Sequence, residues 1–167
     1  MFSATHRLSL LGLAAALSCS AAAPARADLL VQKSLSAAMA VTVATEAIAA
    51  CKAAGFAVSA TVVGRIGEVI VQIRGDGTGP HTMENSFKKA YTSRTFRIPS
   101  GEMEERFKKN PQLGAVFLSN ITTARGALPI KVGEETIGAA GVSGAPGGEK
   151  DEACVKTAID KIAAQLK

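Results

Sequence analysis

The chain has 167 residues, 47% of them apolar, with 19 Lys and Arg against 14 Asp and Glu, no tryptophan, one tyrosine, two histidines and three cysteines. The net charge of +5 is mild, and the cations are interleaved with acids, as in Glu102, Glu104, Glu105, Arg106, Lys108 and Lys109. This excludes the clustered basic face of a nucleic-acid binder, and no later apolar run approaches the ~20 residues of a membrane span.

Met1 to Arg7 is positive without an acid, Leu8 to Leu17 is apolar, and Ala25-Arg26-Ala27 puts small residues where a signal peptidase reads. That is the order of a secretory leader. Residues 1–27 are expected to be removed, leaving a periplasmic or secreted domain at 28–167. Ala16-Leu17-Ser18-Cys19 is a competing lipoprotein site, weakened by alanine three residues before the cysteine. Losing Arg7 and Arg26 leaves 17 basic residues (19 less two) against 14 acidic ones, a net charge of +3. The domain keeps Cys51 and Cys154. An exported compartment permits a bridge, and two free helix cysteines are the alternative.

Leu30 to Ala54 favours helix, with Ala37, Val41, Ala44, Ile48 and Cys51 as one apolar stripe and Gly55 as its stop. Ala57–Val63 and Glu68–Ile73 read as two strands joined by the Gly64-Arg65-Ile66-Gly67 turn, an antiparallel hairpin. Gly75-Asp76-Gly77-Thr78-Gly79-Pro80 is a loop. His81–Phe96 reads as a helix, and Ser100 to about Lys109 as a shorter one ended by Asn110-Pro111. Three strands are expected at Ala115–Thr122, Leu128–Val132 and Thr136–Val142, and a closing helix at Glu149–Leu166. Hairpin-linked strands between helices give an α+β domain around an antiparallel five-stranded sheet flanked by helices.

In the last strand, Gly138 and Gly141 leave bare positions where another backbone, a subunit or a flat ligand can approach. Upstream, the Gly75–Pro80 loop runs into a helix N-terminus, a pairing that can hold a carboxylate or phosphate. It lacks the Walker and dinucleotide spacings, and a plain flexible connection is the other reading. His81 is the sole histidine after the leader, so one chain cannot build a multi-histidine metal site. Its imidazole can ligate a metal, act as acid or base, or simply start the helix. Tyr91 is either a second iron ligand or an amphipathic core residue. Asp76, Glu84, Asp151 and Glu152 make a carboxylate site only if their loops converge; Asp151 and Glu152 also suit a helix dipole. Lys88, Lys89 and Arg94 can pair an anionic group or form a wet helix face. No serine or threonine stands in a triad motif.

The order and spacing of several segments resemble the GlcG/HbpS-like (haem-degrading domain) family. They are Ala53-Ala54-Gly55, Val58 to Val63 with Gly67, Arg74-Gly75-Asp76-Gly77, Lys89-Ala90-Tyr91-Thr92, Leu128-Pro129-Ile130, and Gly138-Ala139-Ala140-Gly141-Val142-Ser143-Gly144-Ala145 followed by Asp151-Glu152. The resemblance spans Leu30 to Leu166. It implies a profilin-like fold, a homo-oligomer (tetramer or octamer) and, for some members, haem or iron binding and haem breakdown. Arg125-Gly126-Ala127 stands before Leu128-Pro129 where the family often has Gly-Gly. The expectation is an exported oligomer holding haem, or another flat anionic molecule, near the Gly75–His81 loop. His81 or Tyr91 would sit on iron, with Lys88, Lys89, Arg94 and Asp76 around the cofactor. An enzyme degrading haem or a small metabolite, and a cofactor-free assembly module, are the alternatives.

Overall fold

Residues 28–167 are described by a computed structural model; the expected leader, residues 1–27, lies outside the described residues. Helix α1 (Ala37–Ala53) starts at Ser36, whose hydroxyl accepts the Met39 N–H at 3.2 Å, a side-chain N-cap. The helix therefore begins seven residues later than the composition predicts. Its buried face is Ala40, Val43, Ala44, Ala47 and Cys51, while Ala37 and Val41 are exposed. With alanine on every side, the apolar period is blurred and the predicted stripe is rotated.

Strands β1 (Ser59–Val63) and β2 (Val69–Arg74) form the expected hairpin. After α2 (Thr82–Phe96) and α3 (Ser100–Lys109) come β3 (Ala127–Val132), β4 (Glu135–Ser143) and α4 (Gly148–Ile162). The sheet is antiparallel in the order β2-β1-β4-β3. It has four strands, which corrects the expectation of five. The segment expected as the fifth strand, Ala115–Thr122, instead opens in a 3₁₀ turn, Gly114–Phe117. Leu113, Ala115, Val116 and Ile121 pack on Met103 and Phe107 of α3, so this apolar run covers a helix instead of extending the sheet. Pro129 fits the edge position of β3, since proline cannot donate to a further strand.

The two faces of the sheet are built differently. Ala60 and Val62 of β1 and Ala140 and Val142 of β4 join α1 and α4 in the main apolar core. The opposite residues, Ser59, Thr61 and Val63, face α2. There the contact is a seam of buried hydroxyls: Ser59 Oγ bonds Thr82 Oγ1 at 2.8 Å and Thr61 Oγ1 bonds Ser86 Oγ at 2.7 Å. Gln72 Nε2 donates to Thr61 Oγ1 and to the Met83 carbonyl, each at 2.8 Å. Satisfied pairs of this kind remove the penalty of burying a hydroxyl. The bare strand position at Gly141 receives α2 itself, since a Cβ there would overlie the Ser86 carbonyl and come within 2.7 Å of the Ala90 amide nitrogen. The glycine accommodates the chain's own backbone.

Cys51 and Cys154 form a disulfide, Cα atoms 5.5 Å apart, that ties α1 to α4 across 103 residues of sequence. A loop of that length corresponds to about 4–5 kcal/mol of stabilisation in the chain-entropy account.

Candidate functional site

Ser59, Arg74 and Ser143 are level in the ladder, so the loops that continue from them gather at one end of the sheet. Gly55–Ala57, Gly77–His81 and Gly144–Gly148 enclose a cleft of about 830 Å³, with Glu104, Glu105 and Lys108 of α3 and Arg125 on its far side. Gly144 (φ +139°) is held against the Ala57 backbone, where a Cβ would come within 2.9 Å of the Val58 Cα. Only glycine brings the two loops this close in that conformation.

His81 stands at the N-cap of α2 without a capping side-chain bond. Its ring folds over Gly79, where a Cβ would lie 3.0 Å from the imidazole Cε1. The imidazole is thereby presented at the cleft rim. One turn further, Asn85 Nδ2 donates to Ser143 Oγ at 3.0 Å, tying α2 to the end of β4.

The floor is a buried ion pair. Lys89 Nζ donates to Asp151 Oδ2 at 2.7 Å and to the Val142 carbonyl at 3.1 Å, and Asp151 Oδ1 accepts the Ala145 N–H at 3.0 Å. The two side chains are 4% and 3% exposed. Burial pushes the Asp151 carboxyl up, against the Lys89 charge and the bonds from Lys89 and Ala145. The pair fixes the Gly144–Gly147 loop onto α2 and thereby shapes the cleft.

At the α3 wall, Arg125 Nε lies 3.5 Å from Glu104 Oε2 and its Nη2 3.9 Å from Glu105 Oε1, ion-pair distances too long or bent for hydrogen bonds. Its Nε is shielded from solvent and has no hydrogen-bond partner. Behind it, burial raises the Glu152 carboxyl above its usual range, opposed by Arg125 and the Gly101 N–H.

The structure brings His81, Lys89 and Asp151 to this cleft and places Asp76, Lys88, Tyr91 and Arg94 away from it. Asp76 lines a neighbouring groove of about 650 Å³ with Ile48, Lys52, Ile73 and Arg74. Lys88 pairs with Glu84 at 2.6 Å on the exposed face of α2. Tyr91 and Arg94 line a small pocket beside Gly67. At 1.5 Å rise per residue, Tyr91 is about 15 Å along the helix from His81, so the two cannot share one iron. Asp76, Glu84, Asp151 and Glu152 do not converge, and among the described residues no group of three or more His, Cys, Asp and Glu side chains is placed to hold a metal ion. Asn85, Lys108 and Arg125 are cleft residues that sequence reasoning missed. The first two look like wet helix positions, and Arg125 stands in a loop where the sequence draws attention only to Ala127, the departure from the Gly-Gly pattern.

The profile of the family described as "Haem degrading protein HbpS-like" matches residues 35–160. Among solved structures, a double mutant of HbpS from Streptomyces reticuli shares 30% identity over 85% of this chain and 98% of that chain, with a TM-score of 0.77. ORFY from Klebsiella pneumoniae shares 24% over 83% and 97%, TM-score 0.76. A PduOC–heme complex shares 21% over 75% and 93%, TM-score 0.69; the similarities to ORFY and PduOC establish the fold alone. Comparison with curated proteins finds no match. On the family match and the full-length similarity to HbpS, the chain belongs to the HbpS-like haem-degrading family.

Proposed function

We propose that this protein is an exported, oligomeric haem-binding protein whose site is the cleft between the Gly77–His81 and Gly144–Gly148 loops. One observation carries the reading: in a chain of this family, the only imidazole among the described residues and the Arg125 guanidinium line one cleft. The volume of about 830 Å³ falls in the size class of small-molecule sites. Phe56, Ala57 and Pro146 give it an apolar wall, while on the α3 side Arg125 and Lys108 stand paired with Glu104 and Glu105. Haem, when bound, would supply an iron that a neutral imidazole can ligate. His81 would hold the iron, and Arg125 would meet a propionate. The PduOC–heme complex shows that a protein of this fold takes the group.

Export is supported by the leader-like residues 1–27 and by the Cys51–Cys154 bridge, a bond that persists in oxidising compartments. Association into a tetramer or octamer is supported by the resemblance and by the free outer edges of β2 and β3 within the described sheet, since unpaired edges invite further contacts. The test is a haemin titration followed in the Soret band. The expected result is saturable binding whose spectrum changes in His81→Ala. An identical spectrum in the variant removes His81 from the iron. The family description favours a second reading, in which haem is broken down in the same cleft. Loss of Soret absorbance with a reductant, faster than for haem on an inert protein, supports it.

A further inference from the structure

At the other end of α2 lies a cavity of about 120 Å³, lined by Arg65, Ile66, Gly67, Tyr91, Arg94 and Thr95. Its volume is that of roughly four waters, far too small for a macrocycle. The turn between β1 and β2 supplies one wall and the last turns of α2 the other. Gly67 (φ +84°) lets the Tyr91 ring lie directly on the turn, where a Cβ would come within 2.6 Å of Tyr91 Cε2.

The charges in this pocket do not balance locally. Arg65 is committed: its Nε and Nη2 donate to the Lys33 carbonyl at 3.1 and 2.8 Å, and Nη2 also bonds Glu135. Glu68 receives the Ile66 N–H at 3.0 Å and stays exposed. Arg94 is left with its Nε shielded from solvent and without a hydrogen-bond partner. Burial lowers its affinity for the proton, and so do the neighbouring Arg97 and Arg65 charges; Glu68 alone opposes them. A half-buried guanidinium beside two like charges has only the exposed Glu68 carboxylate to offset them, and its planar fork matches an oxyanion. The C-terminal end of the α2 dipole opposes an anion here, but with only about half a charge.

We infer that the Arg94–Tyr91–Gly67 pocket binds a small oxyanion, a carboxylate or a phosphate group, at a site separate from the haem cleft. The guanidinium of Arg94 is its principal ligand.

Tyr91 is the sole tyrosine, and the chain has no tryptophan, so tyrosine emission reports directly on this pocket. The full chain is titrated with inorganic phosphate, with acetate, and with chloride at matched ionic strength. A saturable emission change with phosphate, acetate or both, absent with chloride, is expected and identifies which oxyanion is taken. Arg94→Gln should weaken the midpoint at least tenfold, and Arg94→Lys, which keeps the charge and loses the fork, should fall between. No saturable change in the wild type overturns the inference, as does a correctly folded R94Q with an unaltered midpoint. If R94Q does not fold by circular dichroism, the wild type and R94K decide. The Soret titration of R94K or R94Q should match the wild type, so failure of the haem reading and failure of this one are told apart.

Discussion

Lys89 is the residue on which the cleft floor rests. It is buried, ion-paired to Asp151, and bonded to the strand that ends at Ser143. Removing one member of a buried pair strands the other charge and costs about 3–5 kcal/mol. Lys89→Met should therefore lower unfolding stability by that amount in urea denaturation. Adding Asp151→Asn should restore most of the loss, because the stranded charge is gone and the amide oxygen can still accept the Ala145 N–H. Strict additivity of the two losses would contradict the pairing. Glu152 titrates in the opposite sense to a stabilising carboxylate. Burial raises its pKa, so the folded state holds the proton more tightly than the unfolded chain does. The ionised form costs stability, a cost absent at pH below the unfolded value and complete above the folded one. Glu152→Gln has no such slope. Its melting temperature should gain on that of the wild type as pH rises from about 4 to 7; a constant difference across that range would contradict the assignment.

At the scale of elements, the α2–sheet contact is the feature that composition hides. Ser59, Thr61, Thr82 and Ser86 are polar by residue type, yet they are buried and bonded in pairs. Gly141 completes that contact by admitting the α2 backbone. Gly141→Ala should cost about 1–3 kcal/mol through overpacking in chemical denaturation, and a neutral substitution would mean that α2 sits further from β4. The hairpin, the two final strands and the four helices were legible because turn glycines, β-branched runs and caps mark them locally. The absent fifth strand was not legible. An apolar run such as Ala115–Leu118 looks the same whether it pairs with a strand or, as here, turns Ala115 and Val116 onto Met103 and Phe107 and leaves Phe117 and Leu118 exposed, and only tertiary contacts decide. For the same reason His81 could be placed at a helix start, while the company it keeps could not. Arg125 lines the same cleft from a loop 44 positions further along the sequence, and no local pattern records that convergence.

For the whole molecule, the fold sets one sheet face into an apolar core closed by the α1–α4 disulfide, and the other into a polar seam with α2. The loops at one end of the sheet make the large cleft, and the far end of α2 makes the small cationic pocket. His81 and Tyr91 therefore line different pockets, although one helix and its N-cap carry both. The position of haem in a crystal structure of the haemin complex tests this division most directly. The account predicts the macrocycle in the cleft, with the His81 imidazole on iron and a propionate at Arg125. Haem seated in the groove between α1 and β2, beside Lys52 and Arg74, would contradict it.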